Sequence, residues 1–474
     1  MVPDRHFPAP GVSVIQRIRK SSALRIPLEL APTPEPRALS LAIFIYGFAG
    51  VIILGTILLV LPFSSRSGDW TSFLDALFTA TSATCVTGLT VVGTESHWNA
   101  FGQGVILGLV QVGGFGFMIS ATLLWVALGR RIGLRQRLLI AESLGMDEVG
   151  GVVRLVKRFA LITLIIESAG AGLLYLDFSS ESSTGTAVWH AFFQSISAFN
   201  NAGFTNLGQG QSLIPYQTDV GVLMVIAVLI FFGGISFLVL ADVARGRRFD
   251  RFGLDTKIVL VTTGGLLAIG TIVFLITEYS NAQTLGPLDI PHKIVVAFFH
   301  SVSPRTAGFE AVNMGAVADY TLFFTIVLMF IGGAAGSTAG GIKVNTFGML
   351  IATIGSSLKQ REHPRAFGRE FEPQQIFRAL TVSILALMFI TLVVLVLQTI
   401  EDFDFLDLLF ETVSAFGTVG LSTGITPELS IAGKLIIIVT MFIGRLGPLT
   451  LALILVQRQK PTTHRYPHDV VRIG

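Results

Sequence analysis

The segment TSATCVTGLT, residues 81–90, returns three times along the chain in altered form, as SAFNNAGFT (197–205), SPRTAGFE (303–310) and SAFGTVGLSTG (414–424). The copies align without gaps on Gly88, Gly203, Gly308 and Gly420, which are 115, 105 and 112 residues apart. Ten residues before the glycines stand Phe78, Phe193, Phe298 and Phe410, and six before stand Ser82, Ser197, Val302 and Ser414. The residue that follows each is Leu89, Phe204, Phe309 or Leu421. Self-similarity at so regular a period is read as internal duplication.

The surroundings of these copies place them in lipid. Of 474 residues, 51% are hydrophobic and only 13% charged, more apolar surface than a soluble domain encloses. Apolar runs read as long enough to cross ~30 Å of hydrocarbon lie near 41–62, 103–128, 158–177, 220–243, 257–277, 320–334, 378–399 and 433–456. Eight membrane spans are expected, two around each copy. The result is an all-α polytopic membrane protein of four helix, re-entrant pore helix, helix (M1-P-M2) repeats arranged pseudo-fourfold around one pore. Their bounds are 41–129, 153–244, 256–356 and 376–458, with tails at 1–40 and 459–474. The first forty residues hold six Lys/Arg and several prolines without a continuous apolar core, so they read as a cytosolic tail and not as a signal peptide.

Lys and Arg accumulate on one side. The N-terminal tail, the C-terminal stretch from Arg458 and the stretches 129–158, 244–257 and 356–378 hold 27 of the 33, which by the positive-inside tendency makes both termini cytoplasmic. This segregation accounts for the basic balance, and no nucleic-acid partner is inferred. The single cysteine, Cys85, excludes an internal disulfide or a cysteine-based metal cluster. No nucleophile–base pair, metal cluster or phosphate-binding loop is present, and the eight histidines are scattered, so an enzyme is not expected.

A short apolar helix followed by a glycine-rich stretch dips into the membrane and returns only where its backbone is buried or lines water. Four such stretches, Val86-Thr87-Gly88, Asn201-Ala202-Gly203, Thr306-Ala307-Gly308 and Thr418-Val419-Gly420, are expected to aim rings of carbonyls at a dehydrated cation. Glycine permits the backbone angles required. The residues three before the anchors differ (Cys85, Asn200, Arg305, Gly417), which favours coordination by backbone over side chains. Asp75, His190 and Asp407 are expected to open short helices, Glu167 and Gln111 to hydrogen-bond between helices, and Arg305 to pair with Glu310.

The second spans carry Gly113-Gly114, Gly233-Gly234, Gly332-Gly333 and Gly444-Arg445. In the third, Gly332, Gly333, Gly336, Ser337, Thr338, Gly340, Gly341 and Lys343 form a run too glycine-rich for a stable helix at ~1 kcal/mol per glycine. Residues 332–343 are therefore expected to unwind into a gating loop below the filter. If the last span starts near Gly433, twelve residues at ~1.5 Å rise place Arg445 roughly 18 Å inward. It then either projects beneath the filter as a barrier to cations or caps broken-helix carbonyls.

On the four anchor segments together with GSTAGGIK (336–343) and MFIGRLGPLT (441–450), residues 40–458 resemble the Trk/Ktr/HKT superfamily of potassium and sodium translocating subunits, and within it the bacterial KtrB-like members. The resemblance implies potassium uptake across a bacterial inner membrane, a homodimer, and gating by a cytosolic nucleotide-binding ring of the KtrA type. Nucleotide would act only through that partner. It implies potassium as the transported ion and sodium as an activating or coupled ion, with no redox or covalent cofactor. Glycine at all four filter positions goes with potassium preference in this superfamily, whereas serine at the first goes with sodium-selective plant members. None of the copies carries the full TVGYG of potassium channels. A secondary transporter with inverted repeats is the alternative, but units of two spans each keep one orientation.

Overall fold

The computed structural model describes residues 36–116, 151–207 and 211–447, with 119, 120, 122, 123 and 126 between the first two blocks. The tail 459–474, most of the tail 1–40, and the basic loop 130–137 lie outside the described residues, and helix is already present from Pro36. Among the described residues the helices of ten residues or more are, in chain order, α1 (Pro36–Val60), α2 (Phe73–Cys85), α3 (Ala100–Phe115), α4 (Val152–Phe178), α5 (Thr184–Phe199), α6 (Val220–Gly234), α7 (Phe237–Gly246), α8 (Leu254–Glu278), α9 (Ile290–Val302), α10 (Asp319–Phe330), α11 (Val344–Leu358), α12 (Pro373–Ile400), α13 (Phe405–Gly417) and α14 (Ile431–Leu446). A small hairpin, β1 (Arg365–Ala366) with β2 (Arg369–Glu370), joins α11 to α12.

The long helices α4, α8 and α12 bury only 22–28% of their most apolar windows. Side chains such as Leu164, Ile272 and Leu392 stand exposed, the pattern of a surface wetted by hydrocarbon. The short helices α2, α5, α9 and α13 are the inverse. Phe78, Phe193 and Phe410 are fully buried; α2, α5 and α13 pack against both flanking helices of their own units, and α9 packs against α8. Each also touches the later helix of the preceding unit: α5 with α3, α9 with α6, α13 with α10, and α2 with α14. The last pair closes the circle.

Among the described residues the apolar runs do not all form continuous spans. Among the described residues three helices are long and apolar enough to cross, four if a bent pair counts as one. The run 220–243 turns by 94° between α6 and α7, because Gly233 presses its backbone onto the Phe199 carbonyl and Ser236 restarts helix by accepting from the Leu238 amide (3.3 Å). The run 320–334 ends after twelve helical residues at Phe330, and α3 stops at Gly116 with φ +76°. Helices that stop halfway leave their last carbonyls to be satisfied by something other than the next turn.

The outer ends are tied by polar side chains. Asn99 accepts from the Phe101 and Gly102 amides, Asp219 from Val222 and Ser430 from Gly433. In the third unit, fully buried Glu278 accepts from Thr321 Oγ1 (2.6 Å), the Ala318 amide (3.2 Å), Asn281 Nδ2 (2.7 Å) and Thr284 Oγ1 (2.8 Å). Glu278→Ala strands these donors and is expected to destabilise the protein by about 2–4 kcal/mol. A lowered melting temperature in detergent checks it, and an unchanged one refutes it.

Candidate functional site

The four short helices end at the anchor segments, and the manner of their ending sets the backbone there. In α2 the Val86 amide donates to Ala83 O (3.2 Å) and the Thr87 amide to Ser82 O (2.8 Å). Asn201 and Ala202 repeat this on Ala198 and Ser197, and Thr418 and Val419 on Ala415 and Ser414. This is the Schellman arrangement, which puts its terminal residue in the left-handed region, a place usually held by glycine. Here Val86 (φ 59°), Asn201 (57°) and Thr418 (49°) hold it, and Thr306 (73°) does so in the third segment. For β-branched residues this costs of order 1–3 kcal/mol each and persists only where the surroundings over-determine it.

The third copy is one residue short. Ser303, five before its glycine, donates to Phe309 O just as Ser197, six before, donates to Phe204 O, both at 2.6 Å. Phe299 is buried where the gapless alignment names Phe298. The Ala307 amide accordingly reaches back four residues, to Ser303 O (2.9 Å), and not five. The alignment without gaps is corrected upstream of Pro304, which explains Val302 at a serine position.

Gly88, Gly203, Gly308 and Gly420 all have positive φ, from 70° to 97°, and they stand in a ring. A methyl group added to Gly88 would lie 2.5 Å from Ala202 O and 3.0 Å from the Gly203 Cα. From Gly203 it would meet Ala307 O at 2.9 Å, from Gly308 Val419 O at 2.2 Å, and from Gly420 Thr87 O at 2.1 Å. Backbone meets backbone all the way round, with one carbonyl oxygen of each segment against the glycine of its neighbour. The expected filter residues Val86, Thr87, Asn201, Ala202, Thr306, Ala307, Thr418 and Val419 are all at most 1% exposed. Ser82 and Ser414 hold the ring from behind by accepting from the Gly88 and Gly420 amides, each 3.1 Å.

Beneath the ring the broken helices meet. Gly113, Gly233 and Gly444 bring their backbones against the carbonyls of Thr84, Phe199 and Phe416, so that an added methyl would fall within 2.0 Å of each. Between α10 and α11 the chain runs without helix from Ile331 to Lys343. Gly332 N donates to Ile342 O (2.8 Å) and Val344 N to Gly333 O (3.0 Å), pinching the loop at its neck. Thr338 Oγ1 donates to Gly233 O (2.9 Å), and Lys343 Nζ donates to the carbonyls of Ala339 (2.7 Å) and Gly340 (3.4 Å). Gly340 leaves no room for a side chain against Thr418 Oγ1, Gly336 (φ 76°) and Gly341 (62°) take left-handed turns, and Ser337 donates to Ala334 O (2.7 Å).

Arg445 spans this layer. Its Nη1 donates to Thr338 O (2.5 Å) and its Nη2 to Gly113 O, so one guanidinium bonds a carbonyl of the loop and one in the last turn of α3. The capping of broken-helix carbonyls is thus what the geometry displays directly. The contact with the loop falls at Thr338.

Other expectations fare unevenly. Glu167 and Gln111 both accept from Asn200 Nδ2 at 3.0 Å, linking α4, α3 and the end of α5. Asp75 and Asp407 sit in first turns, although neither makes a side-chain cap. His190 lies in the middle of α5, not at its start, because that helix begins six residues earlier at Thr184. Arg305 and Glu310 do not pair. Glu310 accepts through Oε1 from the Ser422 amide (3.1 Å), while Arg305 donates to Thr263 Oγ1 (3.3 Å) on α8. The strained turn at Thr306 and Gly308 separates two residues that sequence places close together.

Residues 43–462 match the family model described as TrkH, cation transport protein. The chain belongs to the TrkH family of cation transport proteins. Ktr system potassium uptake protein B of Bacillus subtilis is 44% identical to it, over 90% of this chain and 95% of that protein. A protein of the same description from Vibrio alginolyticus is 40% identical, over 93% and 95%. Potassium/sodium uptake protein NtpJ of Enterococcus hirae is 38% identical, over 90% and 96%. The crystal structure of the potassium transporter TrkH from Vibrio parahaemolyticus shares the fold, with a TM-score of 0.68 at 21% identity over 90% of this chain and 86% of that one. Membership of the TrkH family makes this an integral membrane cation transport protein and not an enzyme.

Proposed function

We propose that the chain takes up potassium through four M1-P-M2 units set around one pore, with the glycine ring as its selectivity filter. The observation that carries this reading is the closure of Gly88, Gly203, Gly308 and Gly420 on one another, with a carbonyl of Thr87, Ala202, Ala307 or Val419 at every junction. Residues of left-handed φ stand two before each glycine and at the glycine itself. That alternation turns successive peptide groups to a common side instead of opposite ones, so several carbonyls per segment face the ion and replace its hydration shell. Potassium is favoured by the relatives' activities, and sodium as a second ion by the potassium/sodium uptake protein among them.

The loop 332–343 with Arg445 is the gate, lying one layer below the ring and held by bonds a moving helix can break. The word "system" in the relatives' names supports a further component, which we read as a cytosolic nucleotide-binding ring acting on a homodimer of this chain. Both termini face the cytoplasm of a bacterial inner membrane.

Rubidium and potassium uptake in cells lacking their own uptake systems, with and without such a subunit, tests the whole reading. Uptake that rises with the subunit is expected, and no uptake in either case rejects it. Gly88→Ser is a sharper test of the filter. Its Cβ must push back Ala202 O, now 2.5 Å from that position, which widens one side of the ring. The preference for potassium over sodium is expected to fall about tenfold, a loss of ~1.4 kcal/mol in discrimination. An unchanged ratio would remove Gly88 from the filter.

A further inference from the structure

We propose that Arg305 holds a small monoatomic anion, of the chloride class, in a cavity between α6, α8 and the third filter segment. Arg305 is 8% exposed and stands at membrane depth, opposite the middle of α8. The one hydrogen bond of its side chain among the described residues is the 3.3 Å donation to Thr263 Oγ1, and its Nε has no partner. No described carboxylate lies within ion-pair distance of it. Arginine cannot escape by losing its proton, and an isolated buried charge is retained only when something opposes it. Arg445 is different, since two backbone carbonyls receive it.

Beside Arg305 there is room for an ion. The cavity is lined by Asn201, Thr263, Arg305, Gly234, Gly333 and apolar side chains such as Ile230, and it has about 20 Å³ of room for the centres of water-sized occupants. A chloride or bromide balances the single charge of Arg305, whereas a sulfate brings a second negative charge that no other described cation beside the cavity opposes. Thr263 Oγ1 accepts from Arg305, which leaves its own O–H to donate into the cavity. Asn201 is 1% exposed, and its amide oxygen has no partner. Because amide oxygen and nitrogen are assigned by their surroundings, rotation of that amide offers a further N–H donor. Guanidinium, hydroxyl and amide together make an anion site, and water in the same place would supply hydrogen bonds without cancelling the charge.

The anion would sit beside Thr306 and Asn201, the first residues of two filter segments, and would remove a fixed positive charge from the flank of the cation path. This consequence rests on the proposed filter; the binding itself does not.

The test is the thermal unfolding of the purified full chain in detergent, at constant potassium and constant ionic strength, with chloride, bromide, gluconate or sulfate as the anion. Chloride and bromide are expected to raise the melting temperature by a few degrees over gluconate and sulfate, and Arg305→Met to abolish the difference. Should that variant fail to fold, Thr263→Val, which removes one donor, is expected to move the chloride midpoint severalfold higher. Equal melting of the wild-type chain in all four anions overturns the proposal, as does a full halide shift surviving in Arg305→Met or an unmoved midpoint in Thr263→Val. Because no transport is read, loss of the filter reading would leave this result standing on its own.

Discussion

Gly420→Ala is expected to reduce rubidium uptake at least ~100-fold while the protein still reaches the membrane. The added methyl would lie 2.1 Å from Thr87 O and 3.0 Å from the Gly88 Cα, far inside ordinary contact, and neither neighbour is a side chain that can swing away. The fourth segment must therefore retreat by about 1 Å or the first must, and misplacement on that scale costs of order 100-fold where positioned groups act together. Gly420 also has φ +97°, which penalises any L-residue by roughly 1–2 kcal/mol. A control separates strain from ring closure. Gly424 has φ +103° but open space around its Cα, so Gly424→Ala carries a similar backbone penalty without entering the ring and is expected to retain most uptake. If both variants transport equally well, the ring is not the ion's constriction.

What the sequence reveals about this site divides along a physical line. The anchor glycines are legible because positive φ combined with backbone contact admits no other residue, and the constraint falls on each copy alike. The unwinding of 332–343 is legible for a related reason, since a helix with that many glycines loses its backbone entropy contest locally. By contrast, left-handed Val86, Thr306 and Thr418 leave no sequence signal, as β-branched residues adopt that conformation only when tertiary bonds compel it. The bend after Gly234 hides within an unbroken apolar run, and Gly233-Gly234 beside Ser236 is the faint mark of it. The third copy's missing residue is likewise concealed, because Phe298-Phe299 satisfies the aromatic position in either register and Val302 reads as a tolerated substitution. Arg305 with Glu310 shows the reverse error. Five residues and opposite charge suggest a pair, yet the direction of each side chain is set by dihedrals that spacing does not encode.

Arg445→Ala is expected to raise the rate of cation flux about 30-fold in the absence of any regulatory subunit. Two effects act in the same direction. For a charge-to-ion separation of ~8 Å and an effective dielectric constant near 20, removing the unit charge lowers the barrier to a monovalent cation by about 2 kcal/mol. It also frees Thr338 O from the bond that ties the loop across to Gly113 at the end of α3, leaving the loop held on that side by Thr338 with Gly233 and by its own neck. Arg445→Lys distinguishes the two. Lysine keeps the charge, but a single ammonium on a flexible stem does not reproduce the fork that reaches both carbonyls. If charge dominates, the lysine variant behaves as wild type and only alanine leaks; if the tether dominates, both leak. Flux measured in proteoliposomes containing this chain alone reads the outcome directly, and wild-type kinetics in the alanine variant at normal expression would reduce Arg445 to a cap on two helix ends.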